Sequence, residues 1–124
     1  MSLAGTPKKV TLDGTTFDVY ADTNITEVAS KLETEAIPTS GNSIMKKTRR
    51  STNREGVVIA CNGAEFEIVK ELSERIVDFS MSYELASGDV YRTVGQLNLE
   101  SRETEENRCT IIMIPRDDWS AFLA

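Results

Sequence analysis

The sequence predicts a mainly β domain, a small antiparallel β-sandwich or partly open barrel with one flanking α-helix. Most of the chain alternates apolar and polar residues with period two, which is typical of half-buried strands, and short turn signals interrupt this pattern. One segment, AEFEIVKELSER, has helical spacing instead. With 124 residues, of which 40% are hydrophobic, the chain is long enough for one core and too short for two. We therefore expect a single domain over residues 1–124.

The first half of the chain contains elements with clear local signals. KKVTLDGTTFDVYA alternates on both sides of Asp13-Gly14, a strong tight-turn pair, and is predicted to be a hairpin. GVVIAC, residues 56–61, is a continuous β-branched run, and we expect a strand buried on both sides. The apolar residues after it recur at helical spacing, which predicts the helix over about residues 64–75.

Residues 24–37 can be interpreted in two ways. Apolar residues four positions apart, together with a potential N-cap at Thr26, are compatible with a helix. The same segment places alternate residues from Ile25 to Glu35 on one face of a strand. We favour the strand, which the turn-forming residues after Pro38 would end.

The second half of the chain is predicted to consist of strands joined by turns. Ile76 to Leu85 and Val90 to Ser101 both alternate apolar and polar residues, and a Ser-Gly-Asp turn separates them. RETEEN, residues 102–107, is a polar turn. RCTIIMIP then forms the last strand, which Pro115 closes. The chain therefore has about six or seven predicted strands.

Positive charge is concentrated in one short segment of an acidic chain. The formal net charge is −6, from 14 basic and 20 acidic residues. SIMKKTRRSTNREG, residues 43–56, lies in a predicted long inter-strand loop (about 38–56) and is called the basic island here. Its basic residues are Lys46, Lys47, Arg49, Arg50 and Arg54. Outside residues 46–54, 20 acidic residues outnumber nine basic ones, so the remaining surface repels nucleic acids and anionic membranes in general.

The basic island has three interpretations. It could bind a nucleic acid, but it contains no Phe, Tyr or Trp on which bases could stack. It could be a solvated loop, or the tip of a projecting hairpin, without a partner. It could also dock onto an acidic surface, and the simplest acidic partner is another copy of the chain. We favour this third interpretation, in which a head-to-tail contact propagates into a ring or a filament.

The residue types on which most enzymes rely are absent or isolated. The chain contains no histidine, which removes the commonest general base and metal ligand. It contains no GxxxxGK[ST], GxGxxG or GxSxG motif, and the carboxylates of RETEEN lie in a polar turn without an apolar pocket. We therefore expect no enzymatic activity, no cofactor and no metal site.

The cysteines and the hydropathy pattern bear on the compartment. Cys61 and Cys109 lie far apart without a CxxC motif, which is typical of neither a zinc site nor a thioredoxin-like site. We expect buried free thiols. The alternative is a disulfide within one chain or between chains. No apolar run approaches the roughly 18 residues of a membrane span, and the start MSLAGTPKK has no signal-peptide core. We expect folding in a cytosol and no membrane partner.

The order of the elements provides a further clue. The hairpin VTLDGTTFDV precedes the polar loop SGNSIMKKTRRSTNREG, a buried strand and the helix AEFEIVKELSER. The strand pair VDFSMSYELASGDVYRTVGQLNLES and the last strand RCTIIMIP complete the domain. Over roughly residues 8–115, this layout resembles the tail tube proteins of contractile-tailed bacteriophages. The resemblance lies in the layout and not in a diagnostic residue signature.

The resemblance implies a structural virion protein. Six copies would form a ring, and the rings would stack into the inner tube of a contractile tail, the channel for genome delivery. The basic residues of the island would reach the adjacent ring, with Ile44 and Met45 as apolar anchors at the base of the loop. The implied partners are other copies of the chain, the tail sheath protein, and the tape-measure protein and DNA in the lumen. The implied location is the phage tail, after synthesis in the host bacterial cytoplasm.

Two further sets of residues follow from the implied tube. A strand that lines the lumen turns one face to the core and the other to water, and acidic groups there would let DNA slide without sticking. The lumen-facing candidates are Glu27, Glu33, Glu35, Gln96, Asn98 and Glu100. The C-terminal tail, residues 117–124, carries Trp119, Phe122 and Leu123 beyond the last predicted strand. These side chains either cover the edge of the domain's own core or pack on a neighbouring subunit, and we expect the second.

Two alternative functions stay open from the sequence. The chain could be a small binding module whose basic island contacts nucleic acid or an acidic protein, and the affinity would then fall steeply with salt. It could also be another tail component on the same fold, such as a terminator or completion protein. A repeating tube subunit differs from these because it must carry both halves of a stacking interface.

Overall fold

The computed structural model describes residues 5–21 and 23–124, and within them the protein is mainly β with one helix. The strands are β1 (Pro7–Leu12), β2 (Thr15–Asp18), β3 (Thr26–Glu27), β4 (Leu32–Pro38), β5 (Ser43–Arg49), β6 (Arg54–Ala60), β7 (Phe79–Leu85), β8 (Val90–Glu103), β9 (Arg108–Pro115) and β10 (Ser120–Phe122). The helix α1 (Gly63–Glu74) lies between β6 and β7 in the chain.

Eight strands form one antiparallel sheet in the order β2-β1-β7-β8-β9-β6-β3, with β10 paired to β8. The chain just after β2 also meets β6, through a bridge between Val19 and Ile59. The sheet therefore curls toward closure. β4 and β5 form a separate two-stranded sheet. This architecture confirms the predicted fold class, a small antiparallel β-sandwich or partly open barrel with one helix.

The core lies on the inner face of the curled sheet, to which every second residue of the strands points. Its apolar residues are each at most 4% exposed: Val10, Leu12, Phe17, Val57, Ile59, Cys61, Val69, Leu72, Phe79, Met81, Tyr83, Leu97, Cys109, Ile111 and Met113. Val69 and Leu72 come from α1, so the helix covers part of this inner face. The alternation in the sequence therefore identified the buried side of β1 and β7.

The helix begins and ends where the sequence predicts, within one residue at each end. Its N-cap, Asn62, accepts a hydrogen bond from the Glu65 amide at 3.0 Å, while the Glu65 carboxylate accepts one from the Asn62 amide at 3.1 Å. Such a capping box satisfies two otherwise unpaired amides and contributes about 1 kcal/mol. The helix has 12 residues, and the described part of the chain contains no helix long and apolar enough to cross a membrane.

The predicted first hairpin is confirmed. Asp13 and Gly14 both have positive φ, 50° and 83°, as a tight two-residue hairpin turn requires. Val10 and Phe17 are directly opposed across β1 and β2, and both are buried. The run at residues 56–61 also forms a strand, but Val58 on its outer face is only half-buried. The expected burial on both sides is therefore wrong, because only the inner face is covered.

The largest differences from the predicted elements lie between residues 24 and 56. The segment 24–37 is extended rather than helical, as favoured, but it forms two strands, β3 and β4, that belong to different sheets. The long loop expected over about 38–56 is wrong, because this segment contains β5 and the start of β6, whereas the alternative of a projecting hairpin is confirmed. The pairing of β4 with β5 accounts for both differences. The two strands are held together by hydrogen bonds to each other, and the order of apolar and polar residues within one strand does not reveal such a partner. The described chain has ten strands, more than the predicted six or seven.

The two cysteines form a disulfide within the chain, so the expectation of free thiols is wrong. Ile59 of β6 is paired with Cys109 of β9, and Cys61 lies two residues further along the same face. Both sulfur-bearing residues are at most 1% exposed. The bond connects the residue that follows β6 to the neighbouring strand β9. It also leaves neither cysteine available for a cross-link between chains.

Removing this disulfide should destabilise the protein. The bond closes a segment with a sequence separation of 48, so the double variant Cys61→Ser, Cys109→Ser should lose about 2–4 kcal/mol of unfolding free energy. Denaturant unfolding with and without reductant measures the effect. The double variant is the control, since its transition should not respond to reductant. Identical transitions for the oxidised and reduced natural chain, or dimer bands on a non-reducing gel, would contradict the assignment.

The C-terminal tail forms the short strand β10, which pairs with the beginning of β8. Trp119 is half-buried and packs against the domain's own core, so the expected packing on a neighbouring subunit is wrong for this side chain. Phe122 and Leu123 are 72% and 65% exposed. Their packing on a neighbouring subunit stays a prediction.

Candidate functional site: a projecting hairpin arm

The most distinctive surface feature is the two-stranded hairpin of β4 and β5, residues 32–49, called the hairpin arm here. Every residue from 29 to 51 is exposed, on both faces of the arm. The tip, residues 39–42, is closed by Thr39, whose amide donates to the Asn42 carbonyl at 2.7 Å. An isolated two-stranded hairpin is only marginally stable in water. The arm is therefore expected to gain stability from a partner.

The strand pairing determines which residues share a face of the arm. Ile37 and Ile44 are directly opposed near the tip, and Ala36 is opposed to Met45 on the other face. Ile37, Ile44 and Met45 are 40%, 60% and 65% exposed. Ile44 and Met45 were expected at the base of a loop, and this is wrong because β5 begins next to the tip. The apolar part of the arm is thus its distal half.

The five basic residues of the island do not act together. Lys46, Lys47 and Arg49 lie on β5 and are exposed. Arg50 follows the strand, and its Nε donates to the Ser30 carbonyl at 2.8 Å, so this side chain fastens the two strands at the base of the arm. Arg54 is only 6% exposed and lies inside the domain. The predicted role of Arg54 as a surface contact is therefore wrong.

A β-bulge turns Arg54 inward. Val57 is paired with Ile111 and Arg54 with Met113, so three residues of β6 span two residues of β9. Gly56 within this bulge has φ 71°, a conformation that favours glycine. Strict alternation would place Arg54 and the buried Val57 on opposite faces. The extra residue puts both on the inner face, and this is why the sequence pattern did not predict a buried arginine.

Buried Arg54 forms hydrogen bonds and an ion pair with groups from the arm's base and from the core. Its Nε lies 3.1 Å from a carboxylate oxygen of Glu27 and donates to the Tyr83 hydroxyl at 2.8 Å. Its Nη1 donates to the Thr52 carbonyl at 3.0 Å. The Tyr83 hydroxyl in turn donates to the Glu27 carboxylate. β3 and the segment after the arm are thereby fastened to β7 in the core.

Trp119 closes the same cluster from the C-terminal side. Its indole Nε1 donates to the Thr52 carbonyl at 2.8 Å, and its ring lies 4.5 Å from the Arg54 guanidinium carbon. Tyr83 contacts the Trp119 ring edge-on and stacks on Tyr91. The segment that looked like a free tail thus holds the base of the arm in place. These four side chains, Glu27, Arg54, Tyr83 and Trp119, are called the anchor cluster below.

The anchor cluster should make stability fall in alkaline solution. Burial, and then the hydrogen bond to Glu27, raise the pKa of the Tyr83 phenol well above its usual range, although Arg54 opposes this. An unfolded tyrosine loses its proton near pH 10, whereas folded Tyr83 keeps it. The contribution of the neutral phenol is therefore complete below about pH 10 and is lost as the pH rises further. Unfolding measured from pH 8 to 11.5 should show a steeper decline for the natural chain than for Tyr83→Phe, and parallel declines would contradict the prediction.

The six candidate lumen residues do not lie on one surface. Glu27 belongs to the anchor cluster, and Glu33 and Glu35 lie on the hairpin arm. On β8, the Gln96 amide donates to the Ile76 carbonyl and to Asp78, whereas Asn98 is exposed on the outer face and Glu100 is exposed at a bulge. The expected strand with one face on the core is wrong for Glu33 and Glu35, because β4 lies outside the main sheet and both its faces are exposed. The lumen-facing role stays a prediction.

Comparison with known proteins gave no match: no protein family, no curated sequence and no solved structure is significantly similar to the chain.

Proposed function

We propose that the protein is a structural subunit that assembles with copies of itself through the hairpin arm. In the most specific form of this proposal, six copies form a ring, and the rings stack as the inner tube of a contractile phage tail. The observation that supports it best is the arm itself, which projects an exposed apolar end and a basic strand from an acidic domain. The tube assignment also rests on the layout resemblance.

The exposed apolar side chains favour a protein partner. Ile37, Ile44 and Met45 lie together on a segment that contributes nothing to the core of its own domain. Burial of such side chains at an interface contributes about 25 cal/mol for each Å² removed from water. A nucleic acid would make fewer favourable contacts with the arm, because no aromatic side chain lies on β4 or β5 for bases to stack on.

Charge favours a partner of the same sequence. The chain has a net charge of −6, whereas the hairpin arm is slightly positive, with Lys46, Lys47 and Arg49 on β5 against Glu33 and Glu35 on β4. An arm from one copy is therefore attracted to the body of another. Because the arm and the surface it contacts are different parts of the chain, the contact is heterologous and repeats from copy to copy. Such a contact builds rings, stacked rings or filaments.

In a tail, the other proposed partners follow from position. The sheath protein would surround the tube, and the tape-measure protein and DNA would pass through its lumen. Among the candidates for the lumen on β8, Asn98 lies on the exposed face of the sheet and Glu100 is exposed at a bulge. Acidic and neutral polar groups there would not retain DNA phosphates. The proposed location is the virion, after synthesis in the host cytoplasm.

Electron microscopy of the purified protein tests the proposal. At high protein concentration we expect rings or tubes with a wall about one domain thick. Met45→Asp should abolish these assemblies while the fold persists by circular dichroism, since Met45 is 65% exposed and touches no core residue. Ala86→Asp is the matched control, because it adds the same charge at an exposed turn outside the arm.

Three results would contradict the proposal, and a fourth would contradict only its stacked-tube form. A strictly monomeric species at all concentrations and salt conditions would exclude self-assembly. Assembly of Met45→Asp equal to that of the control would exclude the arm as the contact. Salt-dependent nucleic-acid binding that disappears when Lys46 and Lys47 are replaced, without any assembly, would support the binding-module alternative instead. Single rings that never stack would favour a terminator or completion protein.

A further inference from the structure

A second exposed apolar patch lies where α1 passes into β7. Ile76 and Val77, in the connection between the two elements, are 89% and 71% exposed, and Ile68 on the helix is 42% exposed. Contiguous apolar side chains of this size at the surface often mark an interaction site. The patch and the adjoining outer side of α1, from Glu67 to Val77, are called the α1–β7 corner here.

The α1–β7 corner has a small acidic excess, with three glutamates against Lys70 and Arg75. Glu67, Glu71 and Glu74 are exposed along this side of the helix. Arg75 offsets Glu71, and its guanidinium also binds Asp13 outside the corner, each at 2.8 Å. Within the described residues, Glu67 and Glu74 make no ion pair.

The hairpin arm has the opposite combination of features. Its apolar end consists of Ile37, Ile44 and Met45, and Lys46 and Lys47 follow directly on β5. Lys47 makes a single hydrogen bond of 2.9 Å, to Thr34 on the neighbouring strand, and keeps its charge available. In a contact between the arm and the α1–β7 corner, apolar side chains would pack on apolar side chains and lysines would pair with glutamates. Both patches are exposed in the single chain, so neither covers the other within one molecule.

We propose that the distal half of the hairpin arm docks onto the α1–β7 corner of a second copy of the chain. This inference deepens the proposed function and rests on it, because it names the surface that receives the arm. Met45 would pack against Ile76 and Val77, while Lys47, on the same face of the arm, pairs with the glutamates of α1. Ile44 and Lys46 lie on the opposite face, where Lys46 is opposed to Glu35. The docking surface and the arm lie on different elements, so each copy donates one arm and receives another.

Photochemical cross-linking locates the receiving surface directly. A benzoylphenylalanine placed at position 45 in the full chain should, after irradiation of the assembled protein, cross-link to peptides within residues 64–78. The same probe placed at position 86 is the control and should not label this segment. Cross-links from position 45 to any other surface, such as the groove between Tyr91 and Trp119, would overturn the inference while leaving self-assembly through the arm intact.

A charge exchange tests the electrostatic part. Lys46→Glu with Lys47→Glu should reduce assembly at least tenfold by sedimentation, and Glu67→Lys with Glu74→Lys should do the same. Combining all four substitutions should restore assembly, because opposite charges again face each other. Failure of the combination to recover would overturn the inference. If the arm variant alone abolishes assembly and the helix variant does not, the proposed function survives and the docking surface is wrong.

Discussion

Replacing Arg54 with alanine should lower the free energy of unfolding by about 3 kcal/mol. The guanidinium is 6% exposed and satisfies the Glu27 carboxylate, the Tyr83 hydroxyl and the Thr52 carbonyl at once. Its removal leaves a negative charge without its partner and a gap beneath the Trp119 ring. Glu27 is 40% exposed at its side chain, so partial hydration limits the loss to the lower end of the range for broken buried pairs. Denaturant unfolding measures the effect.

Arg49→Ala is the matched control for this substitution. Arg49 belongs to the same basic island but is exposed and forms no ion pair within the described residues, so its loss should change stability by less than about 0.5 kcal/mol. The two variants should differ in a second measurement. Limited proteolysis should cleave the arm's connections faster in Arg54→Ala, because the cluster that fastens residues 27–28 and 52–54 to the core is disrupted. Equal stability of the two variants would contradict the anchor cluster as described.

Gly95→Ala should destabilise the protein by at least about 3 kcal/mol or prevent folding. Gly95 lies in β8 between Phe79 of β7 and Pro115 of β9, where the strands pack closely. A Cβ at this position would overlap the Ile114 carbonyl oxygen and lie 2.9 Å from the Pro115 Cα. Both atoms belong to the backbone of a central strand, which cannot move aside without disturbing the pairing with β8. The yield of folded protein and its thermal unfolding temperature report the effect.

Gly63→Ala provides the comparison within the same chain. Gly63 begins α1, and a Cβ there would meet no atom within 4 Å. Alanine is favoured over glycine in a helix, so this variant should be neutral or slightly more stable. Similar losses at both positions would indicate a general intolerance of glycine substitution and not the close strand approach at Gly95.

The arrangement of the anchor cluster has a consequence for assembly. The hairpin arm has no core of its own, so its direction is set by the connections at its base. Arg50 joins those connections to each other, and the anchor cluster joins them to β7 and to the C-terminal segment. A preorganised arm loses less conformational entropy when it docks than a flexible loop would. Arg54→Ala is therefore expected to weaken assembly as well as folding, although Arg54 itself lies away from the surface.

Much of the fold could be predicted because its causes are local. The Asp13-Gly14 turn, the helical spacing of apolar residues in α1 and the alternation along β7 each depend on residues close in sequence. The projecting arm was predicted only in part. Its position and its positive charge were apparent from the sequence, but its strands were interpreted as a loop, because both faces are exposed and no alternation toward a core exists to indicate them.

The sequence by itself determined a small mainly β domain with one helix, an acidic body and a basic segment that stands apart from the core. Only the tertiary structure decided that Arg54 points inward, that Trp119 belongs to the domain's own core and that Cys61 meets Cys109. Each of these depends on contacts between strands far apart in the chain. The bulge at Gly56 reverses the face of Arg54 at the start of β6, and a single sequence carries no signal of the partner strand against which that bulge is defined.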